Sequence, residues 1–423
     1  MSASNSEPVS VPAEILDVVI VGGGLVGACA GALLARELTA RGVTLRAAIL
    51  EPHRPQAPTA GALRDLRVSA FSRASERVLT HTGVWSLICE RGVSPYERMS
   101  VWHENSAPRG SDALVFDAAE VGEPNLGYII ENRNVQTALL DLFEKAGGRV
   151  IAAELNALHI HDDRVDLETT AGRLSARLVI GADGARSAVR EHVGLTAESG
   201  SYRQTAIVAN ISTEQPHDAT AWQRFTRSGT LAFLPLSAGL SSLVWSVDDT
   251  IATGLLALEP TDFERELTAA SDRVLGQVSL ASQRLSFPLY KLAAHRYVAQ
   301  RCALIGDAAH VVHPLAGQGV NLGILDAAAL VEVLLAARAE REDPGATRVL
   351  RRYERWRKSE NELMSLSIDA FNRYLAHGAN PLGRLARRGM ALVNRSPEIK
   401  GFFIRRALGL AGELPEAAKT RTM

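Results

Sequence analysis

The side chains able to do chemistry in this sequence fall at the ends of apolar runs. Gly22, Gly24 and Gly27 have the spacing Gly-x-Gly-x-x-Gly, and Glu51 follows the next apolar run, "TLRAAIL". In that pattern the first glycine permits a tight turn. The second lets backbone approach a pyrophosphate, and the third lets a helix pack on a strand. Amides at the helix start face the phosphates, and an acid about twenty residues on suits a ribose hydroxyl. Asp183 stands in Gly-Ala-Asp-Gly after "LVI" (178–180), with Arg186, Ser187 and Arg190 close behind. Asp307 ends "RCALIGD" (301–307), where a carboxylate can accept hydrogen bonds from a polyol. Gly317-Gln-Gly319 then opens a helix whose N–H groups at Val320 and Asn321 suit an anion or developing negative charge. Glu51 as an ordinary strand-end carboxylate, Asp307 as a helix cap and Gly317–Gly319 as a plain turn are the structural alternatives.

These residues need strands and helices to hold them. "VVIVGGGLVGACAGALLA" (18–35) is uncharged and long enough for a membrane span. Five of its residues are glycines, three of them consecutive, and each costs a helix about 1 kcal/mol relative to Ala. It therefore divides into a buried strand, Ile15 to Val21, and a helix, Leu25 to Leu38. Residues 1–17 hold no Lys or Arg, so the basic start of an export signal is missing. Residues 1–13 read as a disordered tail. "TAIVANIS", "TLAFLPL" and "SSLVWSV" between 205 and 290 read as an antiparallel sheet. From about Asp326 onward the chain reads as helical, broken by "EDPGA" (342–346).

Bulk properties narrow the function. At 423 residues, with 46 Lys+Arg against 47 Asp+Glu, the chain is near neutral, and two or three domains are expected. No charge excess or motif points to nucleic acid. Three distant cysteines, Cys29, Cys89 and Cys302, form neither a disulfide framework nor a zinc site, which fits a reducing cytoplasm and no metal. His310 and His313 read first as structural hydrogen-bonders, and no catalytic acid or base stands out. Phe233, Pro235 and Trp245 are equally good as pocket lining or as core.

The three segments resemble, in order and spacing, the fingerprints of single-component FAD-dependent aromatic hydroxylases of the para-hydroxybenzoate hydroxylase type. "GDAAHVVHPLAGQGVNLGILDA" and "FIRRALGLAGELPE" are most similar to the branch that hydroxylates prenylated rings in ubiquinone biosynthesis. The resemblance implies an α/β fold: a Rossmann-like FAD-binding domain discontinuous in sequence (14–80, 105–190 and 291–340), an α+β substrate domain built on an antiparallel sheet (81–104 and 191–290), and C-terminal helices (341–423). It implies non-covalent FAD, with Gly22, Gly24 and Gly27 at the pyrophosphate and Glu51 at the adenosine ribose. Arg133 would contact the cofactor, and Asp183 would serve both FAD and an incoming nicotinamide. Asp307 would take the ribityl chain, the Val320 and Asn321 amides the isoalloxazine edge, and Gly319 in the turn before them would also bind the cofactor. Pro314 would lie beside the aromatic substrate. NAD(P)H would be a visiting electron donor, since no second Gly-x-Gly-x-x-Gly exists, and O₂ the oxidant. Other implied partners are a polyprenylated phenol, a ubiquinone-biosynthesis protein complex and the inner face of the cytoplasmic membrane. Basic residues interleaved with apolar ones over 381–410, including Arg384, Arg387, Arg388, Arg395, Lys400, Arg405 and Arg406, suit a lipid surface. They suit equally a helical cap packed on the protein. Another flavoprotein chemistry, such as a halogenase (without the Trp-x-Trp-x-Ile-Pro motif) or a prenyl reductase, and a non-catalytic assembly subunit are the rivals.

Overall fold

The computed structural model describes residues 14–58, 65–110, 113–371 and 396–420. The β-branched run at the N-terminus forms the strand Ile15–Val21. It pairs in parallel with Ala47–Leu50 on one side and Gly172–Gly181 on the other. Cys302–Leu304 and Arg149–Ile151 extend this layer, and an antiparallel hairpin adds Val165–Thr169 and Leu155–Ile160, making eight strands with Val298–Ala299. Strands buried on both faces read as continuous apolar runs, and that is the reason for this pattern here. The helix Leu25–Ala40 covers the sheet and packs on both Asn132–Lys145 and Gln318–Ala339. Gln318–Ala339 is the one described helix long and apolar enough to cross a membrane, and 78% of its apolar window is buried inside the protein. It is a core helix.

The second layer is a nine-stranded sheet built chiefly from Ala197–Thr213, Thr220–Thr226, Gly229–Pro235, Leu240–Asp248 and Leu285–Ala294. The antiparallel reading of 205–290 holds. The outer face carries Ile207, Leu231, Phe233 and Trp245, which pack with Phe263 and Leu267 of the helix Pro260–Ala270. Phe233 and Trp245 are thus core residues, and their position on the helix-covered face rules out a lining role for them. Pro235 is buried on the same face by strand alternation. A three-stranded sheet, Val68–Ser72, Gly127–Glu131 and Ser94–Tyr96, joins the two layers.

Two placements differ from the segment boundaries read from the sequence. Leu114–Asp117 pairs with Arg98–His103 in the nine-stranded sheet, and Val84 and Ile88, beside and within the helix Trp85–Arg91, join the first core. Long-range pairing and packing decide both, and neither leaves a local trace. The C-terminal region is helical over Thr347–Phe371 and Pro397–Ala407.

Candidate active site

The glycine turn interlocks with the second motif. Gly22 has φ +98°, and a Cβ there would lie 2.4 Å from the Ala182 carbonyl oxygen. A Cβ at Gly27 would lie 1.9 Å from the Gly22 carbonyl oxygen, so the strand, turn and helix close only with glycine at both positions. Gly24 is different: nothing lies within 4 Å of its Cβ position, which leaves room for a ligand against the backbone. The Glu51 carboxylate accepts from the Gly23 N–H (2.9 Å) and the His53 N–H (3.0 Å). It is therefore both a brace for the turn and an acid at the end of the second strand.

Arg133 stands in the first turn of Asn132–Lys145, where its Nε donates to Glu131 Oε2 at 2.9 Å, with Asp65 3.9 Å away. Gln136, three residues on and hence on the same helix face, donates to the Gly23 carbonyl at 2.8 Å. Gln136 is a turn-positioning residue that sequence reasoning missed. Asp183 uses one oxygen to accept from the Val189 N–H (3.0 Å). Its other oxygen is buried without a partner among the described residues. An unmatched buried acceptor is costly unless a ligand or water meets it.

The third motif converges on the same place. Val26, in the first turn of helix Leu25–Ala40, meets Gly306 (φ +58°) and Gly323, whose Cβ positions would lie 3.1 and 2.5 Å from its Cγ2. Asp307, next to Gly306, exposes its side chain to solvent in a site otherwise walled by protein. Desolvation by those walls raises its pKa above the ordinary value, and the nearby His310 ring opposes the rise. Gly317, at φ +62°, caps Gln318–Ala339 with no side-chain capping bond, and its own N–H donates to the Pro314 carbonyl. By helix geometry the first-turn amides of Gly319 and Val320 then point out of the helix, with no i−4 carbonyl inside it. The Asn321 side chain is fully engaged. Its Oδ1 accepts from the Ser72 N–H (2.9 Å) and Ser75 Oγ (2.7 Å), and its Nδ2 donates to the Ala70 and Gly317 carbonyls. It ties the three-stranded sheet to the helix start.

Behind Asp307 lies a charged network that sequence reasoning also missed. Asp326 is fully buried and accepts from His310 Nε2 (2.5 Å), Arg357 Nε (2.9 Å), Asn361 Nδ2 (3.0 Å) and the Gly306 N–H (3.2 Å). Burial alone would raise its pKa, but His310, Arg357 and Asn361 together hold it down to about 2. This assigns His310 a structural part. The sequence signal was the lone acid in "VNLGILDAAALV". His313 is buried with Nε2 3.2 Å from Gln204 Oε1, and Pro314 follows it. Val312 and Leu315 pack against Val101, Leu114 and Phe225, which pins this loop to the inner face of the large sheet.

The arrangement fits an FAD. It offers a cradle at Gly24 that a side chain would fill, an unmatched carboxylate oxygen at Asp183, an acid at Asp307 and an uncapped helix N-terminus. A separate depression of about 430 Å³, lined in part by His295, Arg296, Gln300 and Thr347, includes none of these residues.

Comparisons with known proteins agree with this geometry. Residues 15–364 match the family described as FAD binding domain. The chain is 36% identical to 3-demethoxyubiquinol 3-hydroxylase of Escherichia coli, covering 93% of this chain and 98% of that one. It is 36% identical to ubiquinone hydroxylase UbiL of Rhodospirillum rubrum, covering 98% and 94%. Among solved structures, p-nitrophenol 4-monooxygenase of Pseudomonas putida superposes with a TM-score of 0.74 at 21% identity, covering 93% of this chain and 98% of that one. At that identity the likeness establishes the shared fold. Motifs, fold and relatives together make this chain a member of the FAD-dependent aromatic-ring monooxygenases, on the branch its ubiquinone-hydroxylase relatives define.

Proposed function

We propose that this enzyme hydroxylates the ring of a polyprenylated phenol in ubiquinone biosynthesis, with NAD(P)H as electron donor and O₂ as oxidant. The observation that carries the reading is the convergence of all three motifs on one place, the first meeting the second through Gly22 and Ala182 and the third through Val26, Gly306 and Gly323, in a chain whose curated relatives include ubiquinone hydroxylases. FAD, when bound, supplies electron storage and oxygen activation. The protein's residues do the rest. Gly22, Gly24 and Gly27 seat the pyrophosphate, Glu51 the ribose and Asp307 the ribityl hydroxyls, with Arg133 and Asp183 flanking them. Amides at Gly319 and Val320, at the positive end of a helix dipole, stabilise negative charge at the isoalloxazine edge. The Asn321 amide, expected at that edge together with Val320, is by helix geometry the first with an intrahelical acceptor, so Asn321 acts instead through its side chain, which fixes the turn that aims those amides. Pro314 walls the ring, and the apolar Val312 and Leu315 beside it keep water out, as uncoupled oxygen chemistry would otherwise follow.

The test is direct. The purified protein should carry flavin absorbance, and a prenylated phenol should accelerate NAD(P)H oxidation and gain one oxygen atom by mass. NAD(P)H oxidation that yields only H₂O₂ with every prenylated phenol would reject the substrate assignment.

The same reading places the enzyme in the cytoplasm, peripheral at the inner membrane face. The basic residues Arg384, Arg387, Arg388 and Arg395 lie outside the described residues. Within the described part, Lys400 pairs with Glu120 (2.6 Å) and Arg406 with Glu360 (3.2 Å), while Ile404 and Leu408 bury against Ala118 and Leu126. The helix Pro397–Ala407 is accordingly a cap on the protein, leaving Phe402 and Arg405 outward.

A further inference from the structure

We propose that the apolar tail of the substrate lies in a groove on the inner face of the nine-stranded sheet, entering at the sheet edge between Leu285 and Phe287. The proposal rests on the reading of the substrate as a prenylated phenol. Leu285 pairs with Val208, Val208 with Val244, and Val244 with Ala232, so four apolar side chains form one row across four strands. Three inter-strand spacings make that row about 14 Å long. On the opposite face, Ile207, Trp245 and Leu231 are sealed into a core by helices. Val208 is buried and Val244 and Ala232 are half-buried, yet none of the three belongs to a hydrophobic cluster among the described residues.

The outer end of the row is open. Leu285 and Phe287 are 40% and 45% exposed, on a stretch, "LSFPLY", without a charge. Edge strands are commonly blunted with charges because bare apolar edges associate. Pro288 has no N–H to donate, which disfavours an added strand as the occupant and leaves a side-chain groove for a flexible apolar chain. The inner end reaches the site. Leu234, on the same face two residues past Ala232, packs with Ala70 and Ile129. A Cβ at Gly317 would lie 2.8 Å from Ala70 Cβ. The row thus ends at the turn that opens the flavin helix, where the ring must lie.

Leu285→Asp and Phe287→Ser alter exposed positions away from the FAD motifs, so folding and FAD content should persist. With a phenol bearing an isoprenoid tail, kcat/KM should fall about tenfold, a loss of about 1.4 kcal/mol of binding. With the tailless phenol it should not change. Equilibrium binding of a tailed analogue blocked at the reacting carbon, followed by flavin absorbance, should weaken in parallel. Equal losses for both phenols, or no loss for either, would overturn the groove. A changed elution volume on size exclusion with unaltered tail selectivity would assign this edge instead to contact between two copies and also overturn it. Wild-type enzyme that turns over no prenylated phenol would reject the functional reading itself, and the groove with it.

Discussion

Gly24 and Gly27 stand three residues apart in one motif, and substituting each should have opposite consequences. Gly24 has φ −60° and ψ −176°, an extended conformation open to any residue, and its Cβ position is empty to 4 Å. A side chain there should leave the apoprotein's stability within about 1 kcal/mol, because the entropy gained over Gly offsets a poorer helix N-cap. In the holoprotein the same side chain occupies the pyrophosphate seat. Losing two hydrogen bonds to charged phosphate oxygens, at about 1.5–3 kcal/mol each, weakens FAD by roughly 10² to 10⁴-fold. Gly27→Ala instead drives a methyl to 1.9 Å from the Gly22 carbonyl. The strand–helix junction must spread, at about 1–3 kcal/mol or more of overpacking strain. The assay pairs urea unfolding of flavin-free protein with FAD titration by flavin fluorescence. Gly24→Val should fold normally and purify without flavin, and Gly27→Ala should be destabilised before any flavin is added. Full FAD content in Gly24→Val would refute the pyrophosphate seat. Equal destabilisation of the two apoproteins would show that Gly24 is merely another packing glycine.

Asp307→Ala should weaken FAD by about 1.5–3 kcal/mol for each hydroxyl bond lost, measured by flavin fluorescence; unchanged affinity would leave Asp307 as a turn residue. Because the Asp307 carboxyl is raised, wild-type FAD affinity should begin to fall, as pH is lowered, above the usual aspartate range, and Asp307→Asn should abolish that dependence. Asp326→Asn removes the carboxylate shared by His310 and Arg357 and should cost about 3–5 kcal/mol in urea unfolding. The Asp326 pKa is lowered to about 2 from 3.8, so its share of stability is present above pH 3.8 and lost as pH falls toward 2. That share amounts to roughly 2 kcal/mol, and the gap between wild type and Asp326→Asn should narrow over that interval. Replacing Arg384, Arg387 and Arg388 with Glu should abolish co-sedimentation with anionic phosphatidylglycerol vesicles at low salt; retained binding would move any lipid contact elsewhere.

Much of this protein was legible in its sequence because its chemistry sits where local pattern is strongest. The strand Ile15–Val21 and the helix from Leu25 emerge where β-branched and Ala/Leu-rich runs meet at Gly22–Gly24, a boundary set by backbone sterics alone. Asp183 and Asp307 follow apolar strands, and parallel strands carry ligand sites at their carboxyl ends. Tertiary structure decided the rest. Only long-range packing makes Gln136 a neighbour of Gly23, or brings Arg357 and Asn361 of the C-terminal helix onto Asp326 beneath the Gly306–Asp307 turn. Phe233 and Val208 show the same limit within one sheet. Alternation fixes that each strand has two faces, but which face meets the helix Pro260–Ala270 and which faces the flavin-site loop is set by elements distant in the chain. A row such as Leu285–Val208–Val244–Ala232 exists only once four strands are in register, since its members are between 12 and 77 residues apart in sequence.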